Sequence, residues 1–259
     1  VLARTDAPHS VFVHLVGAYD LVVAQRDTYP GLGAFPTHHW EPGRRFAETY
    51  RVEIPRTANT PDDVQIMIGL AGQDARLPVT GEHASDSGDA VLLPEVVPVP
   101  ERVAGGVPNP QRVNFGDHML LVGFREEDRV TGPGGGVWIT LYWQMMQPTD
   151  WGWRVFLHAL DESGEIRGSA DGHTRDGEVF LTPDTWEIGE IVPDRRFVPL
   201  PEEPGRYRLE VGWFNPEIGS NTRWPVIADD GHWEPPRLLL PEVRVAESEA
   251  AAEAWRAGR

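Results

Sequence analysis

Leu92-Leu93-Pro94-Glu95-Val96 recurs, residue for residue, as Leu239-Leu240-Pro241-Glu242-Val243, and this recurrence decides how the chain is read. Toward the N-terminus the matches continue in the same order. Leu77-Pro78-Val79 is answered by Trp224-Pro225-Val226, Ile68-Gly69-Leu70 by Val211-Gly212-Trp213, and Ile54-Pro55 by Leu200-Pro201. Trp40-Glu41-Pro42-Gly43 returns as Trp186-Glu187-Ile188-Gly189, and Val11-Phe12-Val13-His14 as Val155-Phe156-Leu157-His158. The offset stays between 143 and 147, so small loop insertions account for every change. Chance could supply one such match, but not six in one order. The chain therefore reads as two copies of one unit.

The unit is β. Tyr207-Arg208-Leu209-Glu210-Val211 alternates polar and apolar residues, which puts one face on a core and one in water. Val11–Val16 and Leu21–Gln25 form a hairpin across Gly17-Ala18-Tyr19-Asp20, matched by Val155–Leu160 and Glu165–Gly168 across Asp161-Glu162-Ser163-Gly164. Glu48–Ile54 and Arg195–Leu200 are expected as a further strand type, and Val64–Leu70 and Tyr207–Phe214 as another. With 27 Gly and 24 Pro spread between short apolar runs, the pattern predicts two tandem antiparallel β-sandwiches of the Ig or jelly-roll kind. The second copy opens with Val113–Gly116, Met119–Phe124 and Val137–Trp143. The first has only Val1–Ser10 in that place, so it is expected to lack about two N-terminal strands unless another chain supplies them, which would leave open sheet edges. The expected boundaries are a truncated repeat over 1–99, a linker over 100–110 within the Pro/Gly-rich stretch Val97–Pro110, a complete repeat over 111–246, and a polar helical or disordered tail over 247–259.

Composition bounds the function. The 40 acidic residues against 23 basic give a net charge of −17, a poor surface for nucleic acid, which needs Lys and Arg to displace counterions. Cysteine is absent, which excludes disulfides, thiolate zinc sites and cysteine nucleophiles. No run approaches the roughly 18 apolar residues of a membrane span, so no membrane insertion by this segment is expected.

The phrases Thr140-Leu141-Tyr142-Trp143-Gln144, Val155-Phe156-Leu157-His158, Pro199-Leu200-Pro201 and Tyr207-Arg208-Leu209-Glu210-Val211-Gly212-Trp213-Phe214-Asn215-Pro216 carry a resemblance, joined in the first copy by Ala24-Gln25-Arg26-Asp27 and Pro36-Thr37. They resemble an accessory β-sandwich module at the extracytoplasmic C-terminal end of some bacterial integral-membrane glycosyltransferases of the protein O-mannosyltransferase type. The two copies cover about nine-tenths of the chain. The resemblance implies an extracytoplasmic, cell-surface or secreted location and a membrane-anchored parent protein. It implies nothing about an activity of the module itself.

His14 and His158 hold the same repeat position. They read either as ligand or metal contacts or, as we prefer, as imidazoles bridging strands through a hydrogen bond. Asp27 and Asp171 end the second strand of each hairpin, where an aspartate caps turn amides or meets a sugar hydroxyl or cation. Ten tryptophans stand out. Trp138, Trp143 and Trp213 fall on strands and are expected in the core, and Trp40 and Trp186 are expected to plug one end of each sandwich. Trp151, Trp153 and Trp233 lie in loop-like surroundings suited to stacking on a sugar ring, or else plug loops. The candidate ligand-binding set is thus Trp151, Trp153, Trp233, His158 and Asp171, with no catalytic residue and no metal ligand assigned. No cofactor is expected. A structural Ca²⁺ in the Asp161–Glu165 or Asp229–Gly231 turn is the one exception weighed, though neither turn fits an EF-hand loop. The expected function is a non-catalytic accessory or scaffold pair within a larger extracytoplasmic or membrane-anchored protein, with a glycan or a cell-surface protein as partner. The alternatives are a carbohydrate-binding module using the loop tryptophans and a glycoside hydrolase with an unrecognised carboxylate pair.

Overall fold

The structure, a computed structural model, describes residues 5–176, 179–219 and 222–257. Residues 1–4 and 258–259, at the ends of the expected boundaries, lie outside it. The described chain is predominantly β, in sheets that are antiparallel apart from one short parallel pairing of Val130–Thr131 with Arg244–Val245, with a single α-helix, and no described helix is long and apolar enough to cross a membrane.

One compact unit comprises Val1–Pro55 and Pro61–Pro100. It holds β1 (Ser10–Val16), β2 (Val22–Thr28), β3 (Asp62–Ala71) and β4 (Val91–Val99) in one antiparallel sheet of order β2-β1-β3-β4. The other comprises Arg56–Thr60 and Glu101–Arg259. Its strands are β5 (Val103–Ala104), β6 (Val107–Pro108), β7 (Val113–Phe115), β8 (Met119–Glu126), β9 (Val130–Thr131), β10 (Gly136–Met145), β11 (Arg154–Leu160) and β12 (Ile166–Ser169). There follow β13 (Thr174–Asp176), β14 (Val179–Leu181), β15 (Ile191–Pro199), β16 (Gly205–Phe214), β17 (Val226–Ile227), β18 (Trp233–Glu234), β19 (Leu238–Val245) and the helix α1 (Glu249–Ala257).

A six-stranded sheet, β15-β10-β8-β7-β17-β18, faces a five-stranded sheet, β12-β11-β16-β19-β9. Period-2 alternation supplies the core between them: Val137, Ile139, Leu141 and Trp143 from β10 meet Val155 and Leu157 from β11 and Leu209, Val211 and Trp213 from β16. Aromatic rings fill one end of this core. Trp143 and Trp213 meet edge to face at 5.1 Å, Trp186 joins Trp213 at 6.0 Å, and Trp153 lies flat on Trp224 at 3.9 Å.

The repeat is visible in strand order and in register. The order β2-β1-β3-β4 corresponds to β12-β11-β16-β19, Phe12 stands opposite Gly69, and Phe156 opposite Gly212. The glycines are required by close approach. A Cβ on Gly212 would stand 2.5 Å from Phe156 Cζ, and one on Gly69 would meet the Phe12 ring closer still. A guanidinium lies over each phenylalanine ring, Arg76 at 4.3 Å from Phe12 and Arg223 at 4.2 Å from Phe156. The histidine two residues on packs against each ring, at 5.0 Å for His14 and 5.1 Å for His158.

Three expectations need correction. Glu48–Ile54 forms no strand, although the matching Arg195–Leu200 falls largely in β15. β15 is hydrogen-bonded along its length to β10, and among the described residues of the first unit no strand stands in the place of β10. The 100–110 stretch is no free linker. Its β5–β6 hairpin packs into the second unit, where buried Asn109 accepts from the Thr60 amide and hydroxyl at 2.9 and 2.7 Å and donates to the Phe124 carbonyl at 3.2 Å. The tail takes the helical form of its two expected alternatives, as α1. Ser248 accepts from the Ala251 amide at 3.1 Å, Ala252 is fully buried, and the Arg244 guanidinium covers the Trp255 ring at 4.3 Å. Trp138 points away from the core, because it alternates with inward-facing Val137 and Ile139.

The glycine–phenylalanine fit is testable. Gly212→Ala is expected to lower stability by about 1–3 kcal/mol through overpacking. Combining it with Phe156→Leu should recover part of that loss, read from urea midpoints by tryptophan fluorescence.

Candidate functional site

β11 and β16 pair so that His158 lies directly opposite Glu210. The chain leaving β12 continues antiparallel beside β11, with Ala170 and Gly172 hydrogen-bonded to Leu157 and Val155, and brings Asp171 to the same imidazole. Nδ1 of His158 is 2.9 Å from Glu210 and Nε2 is 3.1 Å from Asp171, while Arg237 donates to the second Glu210 oxygen at 2.8 Å. His158 and Glu210 are both buried. Burial alone would lower the imidazole pKa, but the hydrogen bonds and charges of Asp171 and Glu210 outweigh it and raise the value to about 9. Burial works in the opposite sense on both acids, yet His158 holds Asp171 below the usual carboxylate range, and His158 with Arg237 does the same for Glu210.

The first unit repeats only half of this. His14 reaches Asp27 at 2.9 Å, but Met67 stands opposite His14 and Ala90 occupies the position of Arg237. The His–Asp tie belongs to both units and pins the hairpin, while the Glu210–Arg237 pair belongs to the second alone.

Asp171 also lies on the rim of an open cleft of about 560 Å³ in the second unit. Its floor is a buried ion pair. Arg196 meets Asp194 at 2.7 Å and donates to the carbonyls of Ala170 and Gly172 at 2.7 and 3.0 Å, and the Trp143 indole completes Asp194 at 3.3 Å. Burial pushes the Asp194 carboxyl up, against the pull of Arg196. The walls are aromatic. Trp138 and Phe197 are register partners on β10 and β15, 5.3 Å apart, and Phe180 stands 54% exposed across from them. Arg195 lies 3.7 Å over the Trp138 ring, with two 2.6 Å hydrogen bonds to Glu127. His173 lines the cleft beside Phe180. Burial, and then the charge of Arg154, push its pKa down, so the ring is neutral at pH 7, and its buried Nδ1 lacks a hydrogen-bond partner.

The five residues expected from sequence do not form one site. Asp171 reaches the cleft, and His158 supports it from beneath. Trp151 is 54% exposed with its ring 6.5 Å from His173, beside the cleft. Trp153 is a correction: it is 7% exposed and stacked on Trp224, because it immediately precedes β11 and follows the inward alternation of Val155 and Leu157. Trp233 is 76% exposed on β18, at the edge of the six-stranded sheet opposite to β15, so the sheet separates it from the cleft. Sequence reasoning passed over Trp138, Phe180, His173, Arg195 and Phe197. Part of the signal was present, since alternation along β15 puts Arg195 and Phe197 on one face. Their meeting with Trp138 depends on the β10–β15 register.

The acidic turns considered for Ca²⁺ are occupied by their own groups. Asp161 accepts from the Ser163 amide and hydroxyl and the Glu165 amide at 2.6–3.0 Å, and Asp230 is bonded to His232. Among the described residues no group of three or more His, Asp or Glu side chains is placed to hold a metal ion.

No protein family matches the chain, and no curated protein matches its sequence.

The two-carboxylate clamp has a measurable consequence. The double variant Glu210→Met/Arg237→Ala, which reproduces the first unit at these positions, should bring the His158 pKa down from about 9, read by NMR titration of its imidazole. A pKa raised on folding adds stability that is complete below the unfolded value of 6.5 and is lost as pH rises through about 9. The wild type should therefore lose more stability than the double variant between those limits, as measured by urea unfolding.

Proposed function

We propose that the chain is a non-catalytic accessory β-sandwich pair of a larger extracytoplasmic protein, and that its second unit binds neutral saccharide in the Trp138–Phe180–Phe197 cleft. One observation carries this reading: aromatic rings line the cleft, with Phe180 and Phe197 exposed and Trp138 half-buried under Arg195, while its charged groups are already paired with one another. Arg195 is held by Glu127, Arg196 by Asp194, and Asp171 by His158. Such a site offers flat apolar faces and hydrogen-bonding edges without an uncompensated charge, which suits the C–H face and hydroxyls of a neutral sugar. The location is drawn from the resemblance of the repeated phrases to modules attached to membrane glycosyltransferases, and a glycan partner accords with it.

The same pairing argues against a hydrolase. Glycoside hydrolysis needs one carboxyl to donate a proton and another to attack or to activate water across the scissile bond. Asp194 is 1% exposed and engaged by Arg196 and Trp143, and Asp171 is engaged by His158 and the Leu157 amide.

Titration of the whole chain with neutral oligosaccharides, followed by calorimetry and tryptophan fluorescence, tests the reading. Binding is expected, with little dependence on salt because no net charge is matched. Trp138→Ala/Phe180→Ala should weaken it about tenfold or more, as loss of about 1.4 kcal/mol of ring contact requires. Absence of binding across a neutral glycan panel would overturn the binding reading, and release of cleaved sugar would overturn the non-catalytic one.

A further inference from the structure

We infer that Glu127 makes the cleft of the second unit select neutral over acidic saccharides, by occupying the Arg195 guanidinium that a sugar carboxylate would otherwise take. This inference rests on the reading of that cleft as a saccharide site and names the residue that sets its choice of ligand.

Two arginines, Arg195 and Arg196, are among the residues that line the cleft. Arg196 is buried, and its donors are spent on Asp194 and on the carbonyls of Ala170 and Gly172. Arg195 is placed differently. Its side chain is 51% exposed, and its guanidinium lies 3.7 Å over the Trp138 ring. Nε and Nη2 each donate at 2.6 Å to a separate oxygen of Glu127. This is the fork-to-fork geometry by which a guanidinium recognises a carboxylate, whether of a side chain or of a uronic acid. Glu127 therefore holds the edge of Arg195 that an acidic sugar would need.

Glu127 is itself well anchored. It directly follows β8, its amide donates to the Trp138 carbonyl at 2.9 Å, and the Thr140 hydroxyl reaches its carboxylate at 3.5 Å. The hydrogen bonds from Arg195 hold its carboxyl below the usual carboxylate range despite partial burial, so it is ionised at neutral pH. A ligand carboxylate would have to displace this seated anion and then remain beside it, unpaired and of like charge. A neutral sugar meets neither cost, and selectivity of this kind comes from repelling the wrong ligand as much as from holding the right one. The pair is not a requirement of the repeat. At the offset of 146 that matches Trp40 to Trp186, Thr49 stands in the first unit where Arg195 stands in the second. Exposed ion pairs contribute little to stability, so the ordered geometry of this one bears on the cleft more than on the fold.

Calorimetric titration of the whole chain with matched trisaccharides tests the inference. The pairs are glucose with glucuronic acid, galactose with galacturonic acid and mannose with mannuronic acid, each in one linkage. The wild type is expected to bind a neutral member about tenfold or more tighter than its acidic partner. Glu127→Gln keeps an acceptor for Arg195 but removes the charge, and should narrow that ratio by about tenfold or more. The gain for the acidic sugar should fall with added salt and vanish in Glu127→Gln/Arg195→Ala, which a structural role for Glu127 would not produce. Both variants change exposed groups and are expected to keep the wild-type circular dichroism spectrum. An unchanged ratio in Glu127→Gln, a wild type that binds both members of a pair equally, or a gain that persists without Arg195 would each overturn the inference. A wild type that binds no neutral trisaccharide overturns the neutral-saccharide reading instead. If Glu127→Gln then binds an acidic sugar through Arg195, the exclusion of acidic sugars by Glu127 stands; if it binds none, both fall.

Discussion

Arg196 and Asp194 point from β15 into the sandwich, at positions that alternate with exposed residues and would otherwise be apolar. Taking two charges out of water is costly and is offset only where the remaining hydrogen-bonding capacity is filled. Here it is filled from both sides of the core. The Trp143 indole supplies Asp194 from β10, and the carbonyls of Ala170 and Gly172 receive Arg196 from the far sheet. The pair thus ties the 170–172 segment to β15. That segment carries Asp171, which holds His158, and His173 follows it in the cleft lining. The position of the cleft therefore depends on an ion pair that is itself almost hidden from solvent.

The two units separate what the fold needs from what differs between them. Phe over Gly, Arg over Phe, and His against Asp occur in both with the same register and nearly the same distances. These contacts solve one problem: closing the outer face of a sheet over a hairpin whose backbone would otherwise be open to water. Differences appear where a neighbour changes. Glu210 and Arg237 appear together in the second unit where Met67 and Ala90 stand in the first, and a buried carboxylate requires that linked change. Trp186 reaches Trp213 within a two-sheet core. Trp40 in the first unit rests on Phe46 instead, and the ring becomes part of a surface.

Strand periodicity, turn residues and the six ordered matches were sufficient to read an all-β chain built on a repeated unit, because alternation and Gly/Pro placement are local properties of the backbone. The same locality explains the misreadings. Glu48–Ile54 resembles Arg195–Leu200 in sequence, but a strand exists only where a neighbour accepts its hydrogen bonds, and β10 is that neighbour in the second unit. The Pro/Gly-rich 100–110 stretch has the composition of a linker, yet Asn109 anchors it through partners at Thr60 and Phe124 that composition does not reveal.

The candidate site divides along the same line. From sequence came His158, Asp171 and Trp151 as residues of interest, since their types and repeat positions can be seen without coordinates. Tertiary structure alone decided that Trp153 is core, that Trp233 lies on the opposite sheet edge, and that Trp138, Phe197 and Phe180 face one cleft. The physical reason is that a side chain's direction follows from its own strand, whereas its neighbours follow from register and from the packing of one sheet on another. Those are set by pairings between residues about 50 to 60 positions apart, here β10 with β15 and β11 with β16.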